Sequence, residues 1–502
     1  MDDMKPRTYK DAINALNSLQ SNFQSLEAKR LIGPSVDKNE YSIKTVYEYI
    51  RRLGYKPNQF NKLNIIHVTG TKGKGSTCAF TESILLNYRF PQLNNGIKKV
   101  GLFTSPHLKS VRERIRINGQ PIEEVKFTKY FFEVWDKLST TTSDLNEFPD
   151  LEPCDKVKPM YFKYLTVLSY HIFMSEGVDT AIYEVGVGGK YDSTNVVEKP
   201  TVTGVSALGI DHVAMLGNTI ESIAWNKTGI FKPDTAAFVS KQLQYPEIHK
   251  FIEDRAEELK TSSLEFVNDD KLDTPLGLLG SFQRQNAALA CKLAAKHLQI
   301  LGITEDLPNE DLTYLPELFK KGLKETKWDG RCQIIPSSRY PNFPDITWYI
   351  DGAHTKESID VASEWIKNTL TSSKPKVLIF NQQGRDTADE LLKELYNNLN
   401  GHVQFDYIIF CTNITWSTGY NAELVSMNNS KDAIDQLIVQ KGFEKVWKEL
   451  DNNSHQPEIK IFKEIELSLN FIKDLNKSLE VFVCGSLHLV GGVLSVLDND
   501  RD

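Results

Sequence analysis

Short, largely apolar runs recur along the chain, and each breaks into a polar, often glycine-bearing loop before helical spacing of apolar residues begins. Residues 99–103, 180–185 and 202–207 are such runs, as is the apolar stretch that opens the segment NIIHVTGTKGKGST at 64–77. Their length suits strands, whereas 78–88 has helical periodicity. The alternation predicts a mostly parallel sheet with helices on its faces. In such a sheet, ligands gather beyond the carboxyl ends of the strands. Four polar clusters fall there: the loop after His67-Val68, Thr104-Ser105-Pro106-His107-Leu108, Glu184 with Gly186-Val187-Gly188-Gly189, and Asp211-His212.

Residues 139–159 lose this periodicity to Thr, Ser, Asp, Pro and charged residues and predict a surface insertion. A helix is expected over 281–301. The segment Trp328-Asp329-Gly330-Arg331 marks a junction, which sets domains at 1–327 and 328–502. A second α/β set follows, with strands expected at 347–350, 376–380, 407–411 and 480–484 and a helix at 389–398.

The segment at 64–77 reads as strand, phosphate-binding loop and helix. Gly70, Gly73 and Gly75 remove side chains that would hold a polyphosphate away from the backbone amides and the helix N-terminus. Lys74 adds a mobile cation. Gly70 stands three residues before Gly73-Lys74, not five, and Ser76-Thr77 come one step later than in the common pattern G-x-x-x-x-G-K-[ST]. A flexible basic turn is the plainer alternative.

At 502 residues and 40% hydrophobic, the chain can bury sizeable cores. A formal net charge of −7 gives no support for general nucleic-acid binding. The six cysteines are scattered without C-x-x-C pairs, which suggests neither a disulfide framework nor a zinc site. The start MDDMKPRTYK carries neither a secretory core nor an arginine-rich presequence, and no run approaches membrane-spanning length. The expectation is a cytoplasmic protein without an integral membrane segment, a mitochondrial pool from an upstream start remaining open.

Nine segments in order, HVTGTKGKGST (67–77), TSPHL (104–108), RERIRINGQPI (112–122), YEVGVGGKYDSTN (183–195), GIDHVAMLG (209–217), IAWNKTGIFK (223–232), FQRQNAALA (282–290), WDGR (328–331) and DGAHT (351–355), resemble the folylpolyglutamate synthase family. That family stands within the ATP-dependent ligases that include the Mur enzymes. The resemblance covers nearly the whole chain. It implies a P-loop NTPase-like N-terminal domain with a mostly parallel sheet and a smaller Rossmann-like α/β C-terminal domain. It also implies ATP-dependent addition of L-glutamate to the γ-carboxylate of a reduced folate or folylpolyglutamate through an acyl phosphate.

By the same resemblance, ATP would be held by Gly70, Thr71, Lys72, Gly73, Lys74, Gly75, Ser76, Thr77, Asn286, Arg331 and Asp351. Two Mg2+ ions are implied, one at Ser105 and Glu184 and a second at His212, and a monovalent cation such as K+ is admitted. Lys74, His212, Lys227 and His354 would serve catalysis, His354 near the acyl phosphate. Lys227 matches a lysine that the family can carry as a carbamate, but Trp225-Asn226 replace the Glu usual before it in bacterial members, so a plain lysine holding an anionic substrate group stays open. Asn286 is otherwise a helix-surface amide, and Arg331 and Asp351 are otherwise salt-bridge residues. Asp329 stands where the family usually has Pro. Arg112, Arg114 and Arg116 form one basic face for a glutamate tail if their segment is extended, or else a solvated face.

Expected partners are reduced folates and their polyglutamates, L-glutamate and ATP, with a monomer as working state. Dihydrofolate synthase and an inactive nucleotide-binding regulator are the alternatives.

Overall fold

The computed structural model describes residues 6–20, 36–90, 92, 96–383, 387–425, 434–451 and 456–501. The chain divides into two compact units. Met1–His107, Val111–Gly277 and Ser281–Lys327 make the first, and Leu108–Ser110, Leu278–Gly280 and Trp328–Asp502 make the second.

The first unit contains β1 (Ile65–Thr69), β2 (Val100–Phe103), β3 (Ile115–Ile117), β4 (Gln120–Pro121), β5 (Thr180–Glu184), β6 (Val202–Val205), β7 (Ala236–Ser240) and β8 (Ser263–Val267). They lie in the order β4-β3-β2-β5-β1-β6-β7-β8. The run from β2 to β8 is parallel, and β3 and β4 add an antiparallel edge. Every residue of β1, β2, β5, β6 and β7 is buried, which explains continuous apolar runs in place of alternation. The edge strand β8 buries only Val267.

The expected strands at 99–103, 180–185 and 202–207 are β2, β5 and β6, and the helix expected over 281–301 is Gln283–Leu301. The helix expected over 78–88 instead spans Lys74–Leu86. Gly73, with φ +81°, ends the loop in a left-handed conformation, so Lys74 already lies in the first helical turn.

The basic segment does not form one extended face. Val111–Arg114 is a 3-10 turn, closed where the Thr104 amide donates to the Arg114 carbonyl, and only Ile115–Ile117 is strand. Arg112 turns to the Ile122 carbonyl, 3.0 Å, and to Glu124, 3.4 Å. Arg116 donates to the Glu113 carbonyl. Arg114 is buried, its Nε donating to His107 Nδ1 at 2.8 Å and its guanidinium over the Tyr161 ring. Residues 139–159 are mostly exposed, but Ser143, Phe148, Leu151 and Lys158 are buried and tether the insertion.

The second unit contains β9 (Gln333–Ile335), β10 (Ile346–Ile350), β11 (Lys376–Phe380), β12 (Tyr407–Ile414), β13 (Glu458–Glu464) and β14 (Leu479–Cys484), ordered β13-β12-β11-β14-β10-β9. All are parallel except β9. Its core packs Trp348, Val377, Ile409, Val481 and Val483 with Leu489, Val490 and Val493 of the helix Leu487–Asp498, and Leu108 joins the same cluster. Among the described residues no helix is long and apolar enough to cross a membrane.

Candidate active site

In the first unit the candidate residues stand at carboxyl ends of neighbouring parallel strands. β1 leads into the loop 70–73, β2 into Thr104-Ser105, β5 ends on Glu184, and β6 leads into Ser206-Ala207. Glu184 lies in register with Val68, two residues before Gly70.

The loop is wrapped from several sides. The Thr71 and Lys72 amides donate to the Ala207 carbonyl at 2.9 and 3.1 Å, and Ser206 Oγ donates to the Lys72 carbonyl at 2.5 Å. Thr69 Oγ1 reaches the Gly188 carbonyl at 2.6 Å, and Thr71 Oγ1 the Gly209 carbonyl at 3.0 Å. Gly70 has φ +150°, and a Cβ there would lie 1.9 Å from Ser206 Oγ; at Gly73 it would lie 2.0 Å from Asn286 Oδ1. Both positions therefore require glycine twice over, for conformation and for space.

Two lysines converge on one oxygen. Lys74 Nζ donates to the Gly70 carbonyl at 3.1 Å and Lys227 Nζ donates to it at 2.7 Å. Lys227 is 3% exposed, and burial, reinforced by the Lys74 charge, pushes its ammonium well below the usual lysine range, with Asp211 and Asp192 opposing. The Lys227 amine is thereby driven toward its neutral form.

The buried Glu184 carboxylate accepts the Ser105 backbone amide at 2.9 Å, which ties the end of β5 to the loop after β2. Ser76 Oγ accepts from Gln283 Nε2 at 3.3 Å, and Gln283 Oε1 accepts from Asn286 Nδ2 at 3.0 Å. Thr77 Oγ1 is enclosed and has no hydrogen-bond partner among the described residues. His212, with φ +51°, caps the short helix Val213–Leu216. Its side chain is exposed, 3.8 Å from the Asp211 carboxylate.

Sequence reasoning missed Asp192. Its buried carboxylate accepts from the Gly186 and Val187 amides, both at 3.1 Å, and from the Thr194 amide and hydroxyl at 2.9 and 2.6 Å. It thus shapes the loop after Glu184. The available signal was the Asp-Ser-Thr run after Gly-Gly, a pattern of side-chain-to-backbone turns.

In the second unit the loop of Arg331 and the loop of Asp351 and His354 lie side by side, joined where the Gly352 amide donates to the Gly330 carbonyl at 3.0 Å. Asp351 Oδ2 accepts the Cys332 amide at 2.7 Å and Oδ1 accepts the Ala353 amide at 2.8 Å. Burial raises this carboxyl above its usual range against the opposing charge of Arg331. Arg331 Nη1 donates to the Gly330 carbonyl at 3.2 Å, and His354 Nδ1 lies 2.8 Å from the Gly352 carbonyl. Asp329, standing where Pro was expected, accepts from Gln333 Nε2, and Gln333 Oε1 accepts the Gly330 amide, so side chains fix this turn in place of a ring.

Residues 339–496 match the family model described as dihydrofolate synthetase, C-terminal domain. A folylpolyglutamate synthase of Candida albicans is 60% identical over 99% of this chain and 97% of its own length. One from Saccharomyces cerevisiae (strain FostersO) is 48% identical over 99% of this chain and 88% of its own length. Among solved structures, a Mycobacterium tuberculosis folylpolyglutamate synthase complexed with ADP aligns over 98% of this chain and all of its own, with TM-score 0.67 and 20% identity. E. coli FolC in complex with DHPP and ADP aligns over 99% and 100%, with TM-score 0.63 and 22% identity. Identity this low speaks for the fold alone, whereas the two yeast relatives, matched nearly end to end, show that the chain belongs to the folylpolyglutamate synthase family.

Proposed function

We infer that the protein is an ATP-dependent ligase that joins L-glutamate, through its amine, to the γ-carboxylate of a reduced folate or folylpolyglutamate, releasing ADP and phosphate. The observation that carries this reading is the near-full-length identity to folylpolyglutamate synthases. The convergence of Lys74 and Lys227 on the glycine loop supports it, because that places two amines where a polyphosphate would lie.

A carboxylate is a poor electrophile. Transfer of the ATP γ-phosphoryl to it gives an acyl phosphate, and attack of the glutamate amine on that carbonyl expels phosphate. The chain's task is to align the groups and to hold the charge that develops. We assign the triphosphate to the loop 70–73 with Lys72, Lys74 and the first turn with Ser76, with Asn286, Arg331 and Asp351 as further nucleotide residues and His354 near the acyl phosphate.

Ser105 and Glu184 fit a magnesium ion, since both offer hard oxygens, and His212 is the proposed residue for a second. Among the described residues no three His, Cys, Asp or Glu side chains converge as a metal site, so such an ion would lean on phosphate oxygens and water. Bound magnesium would neutralise polyphosphate charge. K+ remains an additional proposal. Lys227 suits carbamate formation because addition of carbon dioxide needs a neutral amine, the form that its burial favours.

The C-terminal family model carries the description dihydrofolate synthetase, so dihydrofolate synthase is the second reading to test. ADP release measured with ATP, glutamate and, in turn, dihydropteroate, tetrahydrofolate and tetrahydrofolate diglutamate separates the two. Turnover of both tetrahydrofolates is expected. Turnover of dihydropteroate alone would overturn the assignment.

A further inference from the structure

The indole of Trp225 lies two residues before Lys227 on the helix Ile220–Thr228 and is held by two cations from other elements. Lys190 Nζ lies 4.3 Å from its ring centroid, and the Arg255 guanidinium, from the helix Ile248–Glu258, lies 5.3 Å from it. Arg255 is buried and pairs with Glu258, among the described residues its Nε has no hydrogen-bond partner, and the Trp225 face is a further electrostatic contact. Among the described residues Lys190 makes no carboxylate pair. Its ammonium faces Trp225 and, at 5.2 Å, the ring of Tyr191.

The Lys190 backbone is fixed to the same helix end. Its amide donates to the Asn226 carbonyl at 2.8 Å, and Asn195 Nδ2 links the Lys190 carbonyl, 3.0 Å, to that of Gly229, 3.1 Å. The fit leaves no space for side chains at two glycines. A Cβ on Gly189 would lie 2.7 Å from the Asn226 and Lys227 carbonyl oxygens, and one on Gly229 would lie 2.4 Å from Lys190 Cβ.

Residues two apart on a helix point about 200° apart around its axis. Holding Trp225 on one side therefore sets where Lys227 points on the other. We propose that Lys190 and Trp225 form a positioning pair that fixes the rotation of this helix and thereby holds Lys227 Nζ against the Gly70 carbonyl. The pair acts through Lys227 and touches no substrate. This rests on the reading that Lys227 serves the ligase reaction.

The test uses the full chain with Lys190→Met, Trp225→Leu, Trp225→Phe, Lys227→Ala and the double variant Lys190→Met/Lys227→Ala. Lys190→Met and Trp225→Leu are expected to lower kcat about ten- to a hundredfold, the scale of a misplaced reacting group, with KM for ATP nearly unchanged. Trp225→Phe, which keeps an aromatic face, should recover most of the loss. The double variant should be no slower than Lys227→Ala, since a pair that works through Lys227 has nothing left to position. A double variant slower than Lys227→Ala would overturn the proposal, as would a lowered unfolding midpoint with unchanged kcat in both Lys190→Met and Trp225→Leu. Full activity of Lys227→Ala would instead remove the reading of Lys227 itself, a result separable from failure of the pair.

Discussion

Lys74 and Lys227 share one acceptor oxygen but stand in different surroundings, and their substitutions should separate accordingly. Lys74 opens a helix and is half-buried, so Lys74→Ala is predicted to keep the fold while losing at least about a hundredfold in kcat, the worth of one preorganised charge contact. Near-normal kcat at saturating ATP would remove it from the phosphate site. Lys227→Ala is predicted to keep only a small residual rate whether the side chain is a carbamate or a plain amine. Small carboxylic acids should partly restore it if an anion belongs there, and small alkylamines if a cation does, so the rescue profile identifies the charge. Glu184→Gln keeps shape while removing charge, and its magnesium titration should shift to higher concentration. Superimposable titrations for variant and wild type would rule out the metal assignment.

The helix Lys74–Leu86 illustrates how far elements were legible. The glycine-rich loop before it was readable because Gly, Lys and Ser occur at a strand end, yet the helix began four residues before the expected start, since a left-handed glycine can end a loop without any apolar signal. Strands buried on both faces were plain as apolar runs, whereas the basic segment at 112–116 misled, because alternation along a sequence predicts a face only where the backbone is extended, and a 3-10 turn intervenes. Ser206 was hidden for a further reason: its partners are the Thr69 and Lys72 carbonyls, 137 and 134 positions away along the chain. Near the end of the same helix, Glu82 is buried with Oε1 unpartnered among the described residues, and burial raises its carboxyl to about 7, opposed by Arg116 and the Gly119 amide. The folded state thus holds a proton that the unfolded chain, at 4.5, releases earlier, so this group costs nothing below that pH and destabilises increasingly as pH rises through 7. Urea unfolding between about pH 5 and 8 should show Glu82→Gln gaining stability over wild type up to about 7 and levelling off above. A constant difference across that range would contradict it.

At the scale of the molecule, the second unit takes Leu108–Ser110 from a part of the chain far from Trp328. Leu108 lies in its core, Lys109 pairs with Asp498 and Asp500 at 2.5 and 2.8 Å, and Ser110 Oγ donates to Glu423 at 2.8 Å. A Cβ at Gly491 would lie 1.9 Å from the Leu108 carbonyl oxygen, so this backbone is closely seated. Leu108→Ala should cost about 2–5 kcal/mol, the range for emptying a buried leucine site. Amide exchange should rise in β10, β11 and β14 while β1 and β5 keep their protection; equal acceleration in both sheets would count against it. The three-residue graft also bears on heredity and shuffling. A junction at 327/328 looks like a natural seam for exchanging halves between relatives, but a transplanted C-terminal half would arrive without the leucine its interior was selected around. Chimeras should regain stability when residues 108–110 travel with residues 328–502, which makes the inheritable module a discontinuous one.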